Sequence, residues 1–334
     1  MTSTRPRLQL ILSPAKTMDM AVVKGEFLRS ETRMQAQTAA LLLEMQKKDR
    51  ASLRKMMGVS ESIAALNHDR FQSFDEQGEK QAALAFDGPA YKANGLRAHQ
   101  FTPRQQAFAN AHLRILCGLY GVLRPFDKIR PYRLEMGNSL KVGETSNLYQ
   151  FWGSQITEQI VADMGPGAQS GLLINCASQE YFKSVRTAEL PPGCRVVTCD
   201  FPGSSVFAKR ARGLMSRFII EFEVEDAEQL KAFRGYDEDV YVFSKAQSTD
   251  DKFVFLRQAG KTSVEAGEAG EGSEEKGKKQ AGKHKVEKAD VGNELAAEDS
   301  VKPLPVAGKA KRSAVVDPST GSAAKRPKRD AKKK

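Results

Sequence analysis

Apolar residues recur along the first 256 positions both in short runs and at helical spacing, which predicts a body that mixes strands and helices. Leu8–Leu12 is a short apolar run that ends at Ser13-Pro14, a pattern typical of a buried strand. Later runs predict four further strands: Leu172–Ile174, Arg195–Thr198, Tyr241–Phe243 and Phe253–Phe255. Pro202-Gly203 indicates a turn, and we expect a hairpin that returns through Ser205–Phe207.

Other segments carry the spacing of amphipathic helices. Thr32–Lys47 has apolar residues three and four positions apart, which predicts one helix. Thr102 suits an N-cap, with Pro103 at the first helical position and Gln105 two positions later, and the helix is predicted to run to about Leu116. An apolar residue at every fourth position predicts one further helix, carried by Leu148, Trp152, Ile156 and Ile160.

These elements predict a mixed α/β (α+β) fold in a single globular domain over residues 1–257, because neither an internal repeat nor a regular βαβ alternation is visible. After Leu256 the chain has no Phe, Tyr or Trp and is rich in Lys, Glu, Gly and Ala. Such a segment cannot bury enough apolar surface to offset its ordering entropy, roughly 1–2 kcal/mol per residue. We therefore expect residues 258–334 to form a disordered, lysine-rich tail.

Charge and cysteine content narrow the function classes. The 334 residues include 52 Lys and Arg against 41 Asp and Glu, a net charge of +11 that favours anionic partners such as nucleic acid. The four cysteines match no disulfide framework and no metal-binding spacing, so we expect free thiols in a reducing compartment. No run has the length needed to span a bilayer. We expect an intracellular protein without a membrane anchor, a metal site or a cofactor, and the sequence leaves the oligomeric state open.

The segment Lys209–Phe218 is the richest in candidate binding residues. Read as a helix, it has an apolar face and a cationic face. The cationic face comprises Lys209, Arg210, Arg212, Ser216 and Arg217, with Gly213 among them. A glycine within a cationic face lets a phosphate or a backbone approach closely, and phosphate contacts position nucleic acid without reading its sequence. An ordinary solvated surface helix has the same spacing and is the commoner case.

The segment Met56–Ala64 resembles a helix-hairpin-helix DNA-binding element. Gly58, Val59 and Ser60 lie between two helical stretches, so hairpin amides and a helix N-terminus would face a phosphate. A plain turn between two core helices shares this short and common pattern.

Polar loops after apparent strands supply the other candidates. Lys16 follows the first strand, and Asn175–Lys183 follows another with Ser, Glu and Lys side chains that suit polar chemistry. Charges also stand among apolar residues at Arg124–Asp127 and Pro131–Gly137. The same groups are equally suited to capping helices and satisfying buried backbone. Without a phosphate-binding loop, or a histidine or second carboxylate at fixed spacing, no reaction can be named.

Two basic clusters in the tail, separated by twelve residues, resemble a bipartite nuclear import signal. They are Lys311 and Arg312, followed by Lys325, Arg326, Lys328 and Arg329. An import receptor and a nuclear location are the corresponding expectations. A solvated tail, or one that binds nucleic acid without specificity, is the alternative.

Taken together, segments along almost all of Leu8–Leu256 resemble the YaaA family of peroxide-stress-resistance proteins, in the family's order. They are Leu12–Thr17, Asn67 with Arg70-Phe71, Ala85–Gly88 with Tyr91, His112–Asp127, Pro131–Gly137, Leu148–Gly153, Asn175–Val185 and Lys209–Ile220. The resemblance implies a cytosolic single-domain α/β protein with a positively charged cleft and a helix-hairpin-helix element. It also implies binding of double-stranded DNA and protection against hydrogen peroxide by limiting iron-dependent damage. The cleft residues implied by position are Lys16, Arg124, Arg133, Glu135, Lys183, Lys209, Arg212 and Arg217.

Three hypotheses for function follow. The first is a DNA-binding stress-protection protein that uses the cleft. The second is an enzyme that acts on nucleotides or damaged nucleic acid in the same cleft, with Asn175–Lys183 as its centre. The third is a direct iron binder, which the lack of clustered His, Cys and carboxylate residues disfavours.

Overall fold

Short apolar runs form the strands of one large sheet and one small sheet. The structure is a computed structural model that describes residues 8–92 and 95–258. Within these residues the strands are β1 (Leu8–Leu12), β2 (Lys80–Gln81), β3 (Leu113–Cys117), β4 (Gly121–Leu123), β5 (Lys128–Ile129), β6 (Leu172–Cys176), β7 (Arg195–Asp200), β8 (Gly235–Tyr236), β9 (Asp239–Phe243) and β10 (Lys252–Arg257). β2 and β5 pair with each other, and the other strands form an eight-stranded sheet in the described chain.

The large sheet has the strand order β4-β3-β1-β6-β7-β10-β9-β8. Its five central strands, from β3 to β10, are parallel, and antiparallel strands lie at both edges. Leu8 of β1 pairs with Leu172 of β6, and Leu10 pairs with Leu113 of β3. Every residue of β1, β3 and β6 is buried, as expected for parallel strands covered on both faces.

Helices cover the sheet and carry the surface that surrounds it. In the described residues they are α1 (Gln35–Gln46), α2 (Arg50–Met57), α3 (Glu61–Gln72), α4 (Ala82–Ala85), α5 (Pro103–His112), α6 (Leu148–Trp152), α7 (Gln155–Met164), α8 (Gln179–Phe182) and α9 (Ser205–Glu221). α5 and α9 pack on β1 and on each other, while α7 contacts β1 and β4. The capping box predicted for Thr102 and Gln105 is present at the start of α5.

Three local predictions were wrong for tertiary reasons. The helix that begins at Pro103 ends at His112 rather than Leu116, because the following apolar residues pair with β1 as strand β3. The helix predicted through Leu148 and Ile160 is broken at Gly153, whose φ of 50° ends α6. No hairpin forms after Pro202 in the described chain: α9 begins at Ser205, because β6 and β10 already occupy both sides of β7.

The predicted mixed α/β class is confirmed for the described residues, which belong to one compact unit. Every prediction about the tail beyond Gln258 lies outside the residues that the structure describes, including the nuclear import signal. None of the helices in the described ranges combines the length and the apolar character needed to cross a membrane.

Candidate anion-binding pocket

A pocket of about 580 Å³ opens at the carboxyl ends of the central parallel strands. Within the large sheet, the next strand along the chain after β1 is its neighbour β3, whereas β6 is followed by β7 on its other side. Ligands in sheets of this kind bind where neighbouring connections leave in opposite directions. The walls come from the loops after β1 and β6, the segment before α5, Glu135 and the middle of α9. The lining residues are Leu12–Thr17, Gly88–Tyr91, Glu135, Cys176, Ser178–Tyr181, Lys209 and Arg212.

Hydrogen bonds hold the loops after β1 and β6 together. The Ser13 hydroxyl donates to Oγ of Ser178 at 3.2 Å, and the Ser178 amide donates to Oγ of Ser13 at 2.8 Å. The Tyr91 hydroxyl donates to the Ser13 carbonyl at 2.6 Å, which fixes the Gly88–Tyr91 segment against the loop after β1. The pocket is therefore preformed by its own backbone and hydroxyl contacts.

One carboxylate inside the pocket is shared by two cations. Glu135 Oε2 lies 2.5 Å from Nζ of Lys16, and its Oε1 lies 2.9 Å from Nη2 of Arg133. The Glu135 side chain is only 13% exposed, whereas that of Lys16 is 58% exposed. The second pocket carboxylate, Glu180, accepts a hydrogen bond from the Gly137 amide at 2.9 Å. Both acidic groups therefore lie on the side of the pocket bounded by the 131–138 loop.

Another part of the pocket lining carries two cations from α9. Lys209 and Arg212 line the pocket, and neither forms an ion pair with a carboxylate of the described chain. Nε of Arg212 is buried and has no hydrogen-bond partner among the described residues. An unpaired, partly buried guanidinium is costly unless an anion compensates it. This side of the pocket is therefore suited to an anionic ligand.

Two glycines allow the Gly88–Tyr91 segment to pack tightly between α9 and the loop after β1. A Cβ at Gly213 would overlap the Ala90 carbonyl, so α9 and the backbone of Ala90 are in close contact. A Cβ at Gly88 would lie 2.8 Å from Cβ of Ala15, in the loop after β1. The close approach anticipated at Gly213 therefore occurs, but the approaching group is this chain's own backbone. Gly213 is buried and does not present an opening to a phosphate.

The two tyrosines that line the pocket are uncharged. Burial raises the pKa of the Tyr91 and Tyr181 hydroxyls well above its usual value. The formal charges that line the pocket are consequently those of Lys16, Glu135, Glu180, Lys209 and Arg212, with Arg133 behind Glu135.

Five of the eight predicted cleft residues are thus brought together: Lys16, Arg133, Glu135, Lys209 and Arg212. The other three lie apart from the lining. Arg124 binds the fully buried Asp127 at 2.8 Å, Arg217 binds Glu221 at 2.7 Å, and Nζ of Lys183 lies 4.9 Å above the Tyr149 ring. Each of these three cations already has a partner within the fold.

The residues predicted to form a DNA-binding hairpin connect α2 to α3. Gly58 adopts the left-handed conformation with a φ of 61°, and the Ser60 hydroxyl accepts a hydrogen bond from the Ile63 amide. The amides of Gly58 and Val59 both donate to the Arg54 carbonyl, so they serve the end of α2. Binding of DNA by this hairpin stays a prediction.

Sequence reasoning missed the wall formed by Gly88–Tyr91. Its residues are small or apolar and carry no charge, so a search for catalytic or cationic side chains passes over them. The signal available was the resemblance segment that ends at Gly88, together with Tyr91. The described residues contain no group of three or more His, Cys, Asp or Glu side chains placed to hold a metal ion.

Comparison with known proteins decides the family. The sequence model described as "Peroxide stress protein YaaA" matches residues 8–247. The chain belongs to the YaaA family. A UPF0246 protein of Phenylobacterium zucineum is 42% identical over 260 residues, which cover 74% of this chain and 94% of the relative. UPF0246 proteins of Caulobacter vibrioides and Saccharophagus degradans are 40% and 39% identical, over 74% and 75% of this chain and 98% and 99% of their own lengths.

Membership of the YaaA family confirms the resemblance and assigns the chain, by the family's description, to the response to peroxide stress. Every lining residue falls between Leu12 and Arg212, so the whole pocket lies within the part of the chain that matches the YaaA family. The basic clusters at 311–312 and 325–329 lie beyond that match.

Proposed function

We propose that this protein protects against hydrogen peroxide by binding DNA through the cations of the pocket, and that bound protein limits iron-dependent damage to that DNA. The observation that carries the proposal is the pair Lys209 and Arg212, which face the pocket without a carboxylate partner in the described chain. The exposed Lys16 lies on the same pocket and can exchange Glu135 for a phosphate.

The hairpin at Gly58–Ser60 supplies a second contact in this proposal. It is joined to the pocket through the 131–138 loop, because Nδ2 of Asn138 donates to the Met56 carbonyl at 3.4 Å and Oδ1 of Asn138 accepts from the Glu135 amide. The free amides at the start of α3, rather than those of Gly58 and Val59, would face a phosphate.

The test is a titration of fluorescent duplex DNA with the full-length chain. Lys209→Glu together with Arg212→Glu should weaken binding by at least about a hundredfold, and the slope of affinity against salt should fall by about two. The matched control is Lys24→Glu together with Lys141→Glu, an equal change of charge at exposed residues outside the pocket. Because both variants retain the tail, any tail contribution is constant. Equal losses in the two variants would refute the pocket as the DNA site.

A second candidate, an enzyme that acts on nucleotides or damaged nucleic acid in the same pocket, is favoured by the pocket's concave shape and its carboxylates. Glu135 and Glu180 line the same pocket as Ser13 and Ser178, in a volume typical of small-molecule sites. Screening nucleotides and damaged DNA for turnover tests this candidate. Glu180→Gln should abolish any activity found, and retained turnover would exclude Glu180 from the chemistry.

The tail provides an address in this proposal. Its two basic clusters would engage an import receptor and bring the DNA-binding body to nuclear DNA. A fluorescent fusion that lacks residues 311–334 should lose its nuclear accumulation. Unchanged accumulation would refute the signal.

A further inference from the structure

The pocket is too small for a DNA duplex. Its volume of about 580 Å³ lies in the range of roughly 300–1,000 Å³ found for sites that enclose single small molecules. The major groove alone is about 12 Å wide, so an intact duplex can lie across the mouth but cannot enter. A group that reaches the partly buried guanidinium of Arg212 must therefore have the size of one small molecule.

The pocket offers an apolar wall directly beside its cations. Ala90 packs against Gly213, one residue from Arg212, so Pro89 and Ala90 border the site where an anion would sit. Pro14 and Ala15 continue this wall in the loop after β1. If the anionic group of a ligand binds α9, the adjoining part of the ligand therefore contacts an apolar surface.

The pocket also offers a hydrogen-bond acceptor, the carboxylate of Glu180. Glu180 uses Oε1 for the Gly137 amide, and its Oε2 accepts no hydrogen bond from the described residues. A carboxylate oxygen in this position selects an N–H group, as acidic side chains do with the amino group of cytosine. A nucleotide combines these three features, because it has an anionic phosphate and a base that carries both an apolar face and an N–H edge.

We propose that the pocket receives one nucleotide at a time, with its phosphate at Lys209 and Arg212, its base along Pro89 and Ala90, and an N–H edge of the base at Glu180. This inference rests on the proposed function and extends it from contact with DNA to enclosure of a single unit. The nucleotide has two sources, a free nucleoside monophosphate or one nucleotide lifted out of a DNA strand. In the second case the enclosed base leaves its stack.

Calorimetric titration of the full-length chain distinguishes the parts of the ligand. Deoxycytidine monophosphate should bind at least about tenfold more tightly than deoxycytidine, which lacks the phosphate, or inorganic phosphate, which lacks the base. Arg212→Gln should reduce the advantage over deoxycytidine, because only Lys209 then contacts the phosphate. Glu180→Gln should reduce the advantage over inorganic phosphate, because the base then keeps only its contact with Pro89 and Ala90. The variant Lys24→Glu with Lys141→Glu should bind like the unmodified chain.

A DNA duplex with 2-aminopurine opposite a mismatched base reports the second source, because its fluorescence rises when the base unstacks. A rise on binding that Glu180→Gln abolishes supports a nucleotide lifted from the strand. Binding of deoxycytidine monophosphate without such a rise supports the free nucleotide. Both outcomes support enclosure of one unit.

Failure of this inference is distinct from failure of the proposed function. If neither signal is observed while duplex binding still depends on Lys209 and Arg212, the single-nucleotide pocket is refuted and DNA binding stands. If duplex binding is also independent of Lys209 and Arg212, both proposals are refuted.

Discussion

The ammonium group of Lys16 lies 2.5 Å from the carboxylate of Glu135, so the loop after β1 is held to the 131–138 loop by a charge pair at the pocket. The same carboxylate also binds Arg133, at 2.9 Å. Glu135 therefore lowers the positive potential of the pocket while it fixes two of its cations. An anionic ligand competes with Glu135 for Lys16.

Replacement of this carboxylate should make the protein bind DNA more tightly. In Glu135→Gln, Lys16 and Arg133 lose their negative partner, and we expect an affinity gain of about fivefold at low salt, the size of a released surface ion pair. Fluorescence anisotropy with labelled duplex measures the gain. The control is Glu144→Gln, an exposed site with the same change of charge. Equal gains in both variants would show a general charge effect rather than release of Lys16.

Arg124 should be needed for stability rather than for DNA binding. Its guanidinium lies 2.8 Å from Asp127, whose side chain is fully buried and also accepts from the Ser30 hydroxyl at 2.6 Å. Arg124→Gln leaves that carboxylate without its charge partner, and the free energy of unfolding should fall by about 3 kcal/mol. Urea denaturation measures the loss. A large drop in the DNA affinity of the folded variant would show that Arg124 contributes to DNA binding.

Gly213→Ala should disturb the pocket wall. An added methyl would overlap the Ala90 carbonyl, which displaces Gly88–Tyr91, and we expect a loss of about 1–3 kcal/mol in the free energy of unfolding despite the better helix propensity of alanine. Gly78→Ala is the control, because an added Cβ there meets nothing within 4 Å. Thermal unfolding compares the two variants. Unchanged thermal stability of Gly213→Ala would show that the Gly88–Tyr91 segment can move at little cost.

Asp163 should make the fold sensitive to acid. Burial raises the pKa of this carboxyl, but hydrogen bonds and charge from Arg33 and Arg114 outweigh it, so the pKa lies below its ordinary value of 3.8. The folded state therefore binds the proton less tightly than the unfolded state does. The stabilisation is complete above about pH 4 and is lost as the pH falls through the lowered value.

Denaturation at pH 7, 4 and 3 measures this dependence. Asp163→Asn should be less stable at pH 7 by about 3 kcal/mol, since Arg114, with a side chain only 5% exposed, loses its partner. The variant should also lose less stability than the unmodified chain between pH 4 and 3. Parallel losses in the two proteins would assign the acid sensitivity to other carboxyls.

The strands and the fold class could be predicted because they depend on local apolar runs, as at Leu8–Leu12 and Leu172–Ile174. The errors arose where a distant strand decides the outcome. Leu113–Cys117 continues the helical pattern of α5 in sequence, but pairing with β1 and β4 fixes it as a strand. Ser205–Phe207 has strand-like residues, yet no open strand edge lies beside β7.

Within the candidate site, charge alone could not separate pocket cations from structural ones. Arg212 and Arg217 look alike on the cationic arc of a predicted helix. The structure gives Arg217 a carboxylate at 2.7 Å and a tyrosine ring at 4.0 Å, whereas Arg212 faces the pocket without a carboxylate partner in the described chain. These differences depend on Glu221 and Tyr236, the latter contributed by a strand that follows α9.

The position of β1 at the centre of the sheet has a consequence for synthesis on the ribosome. Leu8 pairs with Leu172, and Leu10 pairs with Leu113, so β1 must wait for both of its neighbours. At about 5–20 residues per second, the wait for β6 is roughly 10–30 seconds. During this time the apolar run Leu8–Leu12 has unpaired backbone groups outside the ribosome. Chaperone dependence of the nascent chain should therefore be greatest before β6 emerges.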